Sequence, residues 1–272
     1  MSRVCFITRA DDLGSNISAN KGVEKVCNAG FFKNASIMAP GPNVEHAAQL
    51  LAHRKDICFG MHITINSEWD LLKWRPLTNV GQKSGLVDDK GFFLNNPKLF
   101  TESKPDIDII MNEVNAQLER LNKLGFNITY LDSHMLPEIY VDNLDDAIKE
   151  FAQKKGLLDH MYFYELPPGF MELIKNPSIL PHYLKNLPEG QYFIVSHPAV
   201  YSNEMLQTGN SETSGEKVAK NRSNEAKNFS GIPLKLLLKR YGCTGIRYDE
   251  AKPQERMTVQ KIKEVMQQIP VK

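Results

Sequence analysis

The chain predicts an α/β fold, a parallel sheet or barrel in one domain, and three observations carry that expectation. Short apolar, strand-like runs alternate with stretches of helical spacing several times over. Acid and imidazole motifs recur at one phase, just past those runs: Ala10-Asp11-Asp12, Gly60-Met61-His62 and Leu131-Asp132-Ser133-His134. The 272 residues, 42% hydrophobic and 24% charged, suffice to bury the core of a single domain over 1–272.

Val4 to Thr8 reads as a first buried strand, with the two aspartates just past its end. Asn16 or Ser18 caps a helix whose Val23, Val26 and Cys27 follow helical spacing, and Gly30 stops it. Ala35 to Ala39 is a second strand, ended by Pro40-Gly41-Pro42. A helix from Val44 to His53 precedes the strand Ile57 to Ile63. Asn66 to about Pro105 then lacks any sustained period and is rich in Gly, Pro, Asn and aromatics. It reads as a long loop excursion, of a kind usually functional or internally structured. Alternation resumes with a helix from Asp106 to Leu124, whose apolar face is Ile109, Ile110, Val114, Leu118 and Leu121, closed by Gly125. Ile128 to Leu131 is a strand, Leu144 to Lys155 a helix, His160 to Tyr164 a strand, and Tyr192 to Val195 a strand running into Ser196-His197-Pro198. Asn203 to Asn228 is a loop or partly helical insertion. Ile232 to Arg240, Thr244 to Arg247 and Thr258 to Gln268 close the pattern as helix, strand and helix.

The formal net charge of +1 provides no broad field for nucleic acid or an anionic membrane. The four cysteines, Cys5, Cys27, Cys58 and Cys243, form no CxxC pair, and Cys5 and Cys58 read as small buried hydrophobes. Free thiols fit a reducing cytosol. The first apolar run is too short for a signal peptide, and no stretch reaches the ~20 apolar residues of a membrane helix. The expected compartment is the cytoplasm. A homodimer is the default oligomer, because two-fold dimers are the commonest.

Residues at the carboxyl ends of parallel strands converge on one crevice. One carboxylate and two imidazoles there can hold a divalent ion, leaving a second carboxylate as a base. Each motif alone has a plainer explanation: Asp-Asp-Leu-Gly as a turn, His62 and His134 as hydrogen-bonded core histidines, His197 as a turn residue before proline. Their shared phase, repeated a fourth time at His197, weakens those explanations together. His46, His53, His160 and His182 lack the phase and read as surface or capping residues. The set suits Zn, Mn, Fe, Co or Ni, with Mg tolerating it less well. The chain has no GxSxG, P-loop, GxGxxG or HExxH motif.

These motifs resemble, in order, those of the YdjC-like carbohydrate deacetylase family, which includes chitooligosaccharide deacetylases. Ile7 to Gly14 resembles the opening NADDFG, Gly30 to Met38 the G…TSASLM segment, and Phe59 to Ile65 the GLHLTLT segment. Leu131 to His134 resembles LDGH or LDSH, and Ser196 to Ala199 resembles CHPG. The resemblance implies a NodB-like distorted (β/α) barrel and metal-dependent removal of an N-acetyl group from an amino sugar or short oligosaccharide. It further implies Asp12, His62 and His134 as metal ligands, Asp11 as general base and His197 as general acid. The cofactor would be one divalent ion, Mg or Zn first, then Mn, Co or Ni. Trp69 and Trp74 are expected either to stack on sugar faces or to anchor the excursion by packing. Where many members read HQHVH, this chain reads His134-Met135-Leu136, so Leu136 stands in place of a histidine. Arg222-Ser223-Asn224-Glu225 resembles an R-x-x-E segment and is expected to be structural, an internal ion pair. Two other readings stay open: a carbohydrate-binding or regulatory protein on the same scaffold, and a non-haem metal oxygenase.

Overall fold

The computed structural model describes residues 3–268. Its order is β1 (Val4–Leu13), α1 (Ile17–Ala29), β2 (Asn34–Ile37), α2 (Val44–Leu51), β3 (Cys58–Ile63), α3 (Phe100–Ser103), α4 (Ile107–Lys123), β4 (Ile128–Ser133), α5 (Leu144–Lys155), β5 (Leu158–Asp159), α6 (Phe170–Lys175), α7 (Leu180–Asn186), β6 (Gly190–Ser196), α8 (Gly215–Ser230), α9 (Ile232–Arg240), β7 (Cys243–Ile246) and α10 (Val259–Gln268). All described strand pairs are parallel, in the order β5-β4-β3-β2-β1-β6. β7 pairs with Val4 to Ile7 of β1, whereas β2 pairs with Arg9 to Leu13. The sheet curls into a half-barrel, the distorted barrel that the sequence predicts. Among the described residues no helix is long and apolar enough to cross a membrane.

Burial explains the composition of the strands. β1, β2 and β3 lie between the barrel interior and a helical layer, so nearly every residue is covered. Asn16 caps α1 by accepting the Ala19 N–H, and Gly30 ends it with φ 89°. Gly60 permits a close approach: a β-carbon there would collide with the Tyr130 ring, which crosses it to reach Ser36 Oγ at 2.8 Å.

The excursion is ordered by buried polar side chains of α4. Glu113 accepts the N–H groups of Leu77 and Thr78 and the Thr78 hydroxyl, while Gln117 bonds both backbone groups of Thr64. Removing loop backbone from water requires such partners.

Several expected elements differ. Residues 160–163 form a 3-10 turn instead of a strand, because Asp159 accepts the Met161 N–H and curls the chain after only two paired residues. The 203–228 segment is partly helical, as one of its two readings had it: about half belongs to α8, started by the Ser214 cap. α6 and α7 have no counterpart in the sequence reading. Ile109 is 36% exposed, since α4 buries the stripe of Ile110, Val114, Leu118 and Leu121. The four cysteines are free, with Cys5 only half-buried.

Candidate active site

Two adjacent aspartates cannot face one crevice from a regular strand, where neighbours alternate. β1 breaks that rule at its end. Its register with β2 slips between Ala10 and Leu13, and Asp12 adopts φ 64°, in the left-handed region. Arg9 and Asp11 share one face, and the irregularity swings Asp12 toward the same cavity. Two further non-glycine residues with positive φ, Met135 (57°) and Leu136 (52°), follow His134 directly. Backbone strain costs of order 1–3 kcal/mol per residue and persists where the surroundings impose it. Three such residues line one cavity of about 390 Å³ together with Arg9, Asp11, His62, His134 and others named below.

His62 on β3 lies opposite Asp132 on β4 in the parallel register, and His134 directly follows β4. Asp12 Oδ1, His62 Nε2 and His134 Nδ1 form a compact triangle. Asp12 Oδ1 lies 3.7 Å from His62 Nε2 and 3.4 Å from His134 Nδ1, and the two nitrogens are 3.2 Å apart. A tetrahedral ion with bonds of about 2.1 Å sets its ligand atoms about 3.4 Å apart. Asp12 Oδ1 is buried and has no hydrogen-bond partner, as expected of an oxygen kept for a cation.

The surrounding groups fix which atom each of these three side chains presents. His62 Nδ1–H donates to Asp132 Oδ2 at 2.5 Å, and His134 Nε2–H donates to Glu68 Oε2 at 2.9 Å. Carboxylates in these places set the tautomer and free the opposite nitrogen. Arg222 Nη1 donates to Asp12 Oδ2 at 2.6 Å, leaving Oδ1 free. Burial pushes the Asp12 carboxyl up, but Arg222 and His134 outweigh it and hold the group well below the ordinary carboxylate range. Burial disfavours a charged His134, yet Glu68 and Asp12 outweigh it and push the imidazole up to about 10.

Asp11 is held differently. Arg9 Nε and Nη2 donate to its two oxygens at 2.7 and 2.8 Å, while Arg9 Nη1 reaches Asp132 Oδ2 at 3.2 Å. His197 lines the cavity half-buried, and its backbone N–H donates to Glu225. Trp69 also lines the cavity, its ring 5.7 Å from the Arg222 guanidinium. Trp74, expected either to stack on a sugar or to anchor the excursion by packing, is 3% exposed and its Nε1–H donates to the Asn66 carbonyl, which is the packing alternative.

Other expectations change. Arg222 and Glu225 do not pair with each other; Arg222 serves Asp12, and Glu225 accepts from Ser196 Oγ and the His197 N–H. His160, read as a surface or capping residue, is buried against Arg9 and lines the cavity, because the 3-10 turn after β5 folds it inward. Burial and Arg9 push it down to about 3. Sequence reasoning also missed Glu68. Its only signal was a place in the aromatic-rich excursion.

The family model described as YdjC-like protein matches residues 6–240. A carbohydrate deacetylase of Thermoanaerobacter pseudethanolicus is 29% identical, covering 74% of this chain and 83% of its own. A chitooligosaccharide deacetylase of Klebsiella pneumoniae is 27% identical, with 58% of each chain covered. A solved structure from Enterococcus faecalis V583, whose description proposes cellobiose-phosphate cleavage, superposes with a TM-score of 0.71. It shares 18% identity and covers 92% of this chain and 99% of that one, which establishes a common fold.

Proposed function

The chain belongs to the YdjC-like protein family, and on that premise we propose that it is a metal-dependent carbohydrate deacetylase, removing an N-acetyl group from an amino sugar or short oligosaccharide. The observation that carries the metal is the unpartnered, buried Asp12 Oδ1 beside two imidazole nitrogens that neighbouring carboxylates turn toward it. Asp12, His62 and His134 would hold the ion. Their one-oxygen, two-nitrogen set suits Zn, Mn, Co or Ni, and Mg less well. Such an ion supplies Lewis acidity toward an acyl oxygen and toward water.

The chain's own residues do the remainder. Asp11, clamped by Arg9, accepts a proton from the attacking water; each of its oxygens retains a lone pair beyond the arginine bonds. His197, as general acid, gives a proton to the departing amine nitrogen. Amide and water become acetate and a free amino sugar. Trp69 offers a ring edge or face for the sugar at the cavity wall. Leu136, also lining the cavity, makes the wall apolar where the family resemblance implies a histidine. Four free cysteines support a reducing, cytoplasmic setting, and a homodimer is the proposed assembly.

An oxygenase reading is not favoured, because the three ligands come from separate parallel strand ends. The test is acetate release from N-acetylated chito-oligosaccharides with and without chelator. Chelator-sensitive release supports the reading; tight sugar binding with no acetate from metal-loaded protein favours a regulatory protein instead.

A further inference from the structure

Asp11, His62 and Asp132 form a second group whose ligand atoms lie within 4.8 Å of one another, all buried. Its two carboxylates and one imidazole are also metal-competent donors, yet its carboxylate oxygens are already occupied. Both Asp11 oxygens accept from Arg9. Asp132 Oδ1 accepts from Ser36 Oγ at 2.6 Å, and Oδ2 accepts from His62 Nδ1 and faces Arg9 Nη1. Of the six oxygens on Asp11, Asp12 and Asp132, only Asp12 Oδ1 has no partner.

Arg9 is 5% exposed and fixed on every side. Phe193 lies under its guanidinium at 4.9 Å, and His160 Nδ1 accepts from Nη1 at 3.3 Å. Burial disfavours its charge, but Asp11 and Asp132 outweigh that and hold it firmly protonated. His160 beside it stays neutral, so Arg9 is the fixed positive charge that faces both carboxylates here. A guanidinium cannot be displaced by a proton change and presents its donors in a rigid fork.

We propose that Arg9 is a built-in cation occupying the place of a second divalent ion between Asp11 and Asp132. It thereby confines the centre to one ion and keeps Asp11 available as a base instead of a ligand. The two arginines divide the two aspartates. Arg222 takes one oxygen of Asp12 and leaves the other for the metal; Arg9 binds both oxygens of Asp11, so each already faces a cation and keeps only a lone pair for a proton. Arg9 is a positioning residue in this scheme, acting through Asp11 and Asp132. The inference rests on the metal centre proposed above.

The test is the number of Mn²⁺ ions bound per chain at saturation, by elemental analysis after dialysis and by electron paramagnetic resonance. The unsubstituted protein and Arg9→Lys, which keeps the charge, should each take one ion. Arg9→Met and Arg9→Gln should each take two, with spin–spin broadening between them. Arg9→Met combined with Asp11→Asn should return to one. One ion in both neutral variants, with circular dichroism showing them folded, overturns the proposal and leaves the metal centre standing; so do two ions in the unsubstituted protein. No ion in the unsubstituted protein overturns both. Should Arg9→Met fail to fold, the Gln variant, equally uncharged but polar, carries the same expectation.

Discussion

Glu68→Gln separates two roles of one carboxylate. In the metal-free protein Glu68 and Asp12 push His134 up to about 10, so at pH 7 its imidazole carries a proton that a metal must displace. About 3 pH units at ~1.36 kcal/mol each make that displacement cost about 4 kcal/mol. Glu68 also turns Nδ1 toward the ion through its 2.9 Å bond to Nε2, and losing such a partner typically weakens metal binding about 10–100-fold. The substitution relieves part of the first cost and incurs the second. The variant should therefore bind metal nearly as well as the parent at pH 7 and increasingly worse toward pH 9, where the parent's proton competes less. Calorimetry in buffers of different ionisation enthalpy should show about one proton released per ion at pH 8 in the parent, and clearly less in the variant. No proton release by the parent anywhere between pH 7 and 9 would refute the reasoning. The sign also holds for stability: a raised imidazole stabilises the metal-free fold fully below about pH 6.5, and the contribution is lost as pH rises through about 10.

Asp11→Asn should keep its metal and lose about 10²–10⁴-fold in kcat, a result that metal-loaded turnover assays check; full activity would remove Asp11 from the chemistry. His197→Gln should slow amide substrates far more than acetyl esters, whose leaving oxygen needs less help from an acid, and equal losses on both would discount its role. Trp69→Ala should raise KM with little change in melting temperature. Trp74→Ala should instead destabilise the fold by about 3–5 kcal/mol, measured by denaturant titration, because it empties a buried site and strips a partner from the Asn66 carbonyl.

Strands with continuous apolar runs were legible because burial on both faces dictates them, and so was the phase of His62 and His134. α1 was legible from a capping asparagine and a stop glycine. The short β5 was not: Tyr162, Phe163 and Tyr164 have strand-like propensity, but the Asp159 cap overrides it. The proposed ligands were identifiable as residues but not as geometry. Nothing in Asp11-Asp12 discloses the bulge that turns both inward, and nothing local links Glu68 or Arg222 to His134 or Asp12, which lie 66 and 210 positions away. Those contacts depend on how the excursion and α8 pack over the strand ends.

The most direct test of the metal centre is anomalous diffraction from crystals grown with Mn²⁺ or Zn²⁺. A single peak per chain within bonding distance of Asp12 Oδ1, His62 Nε2 and His134 Nδ1 is the predicted result. Metal-replete crystals with no peak there, or with one centred on Asp11 and Asp132, would contradict the account.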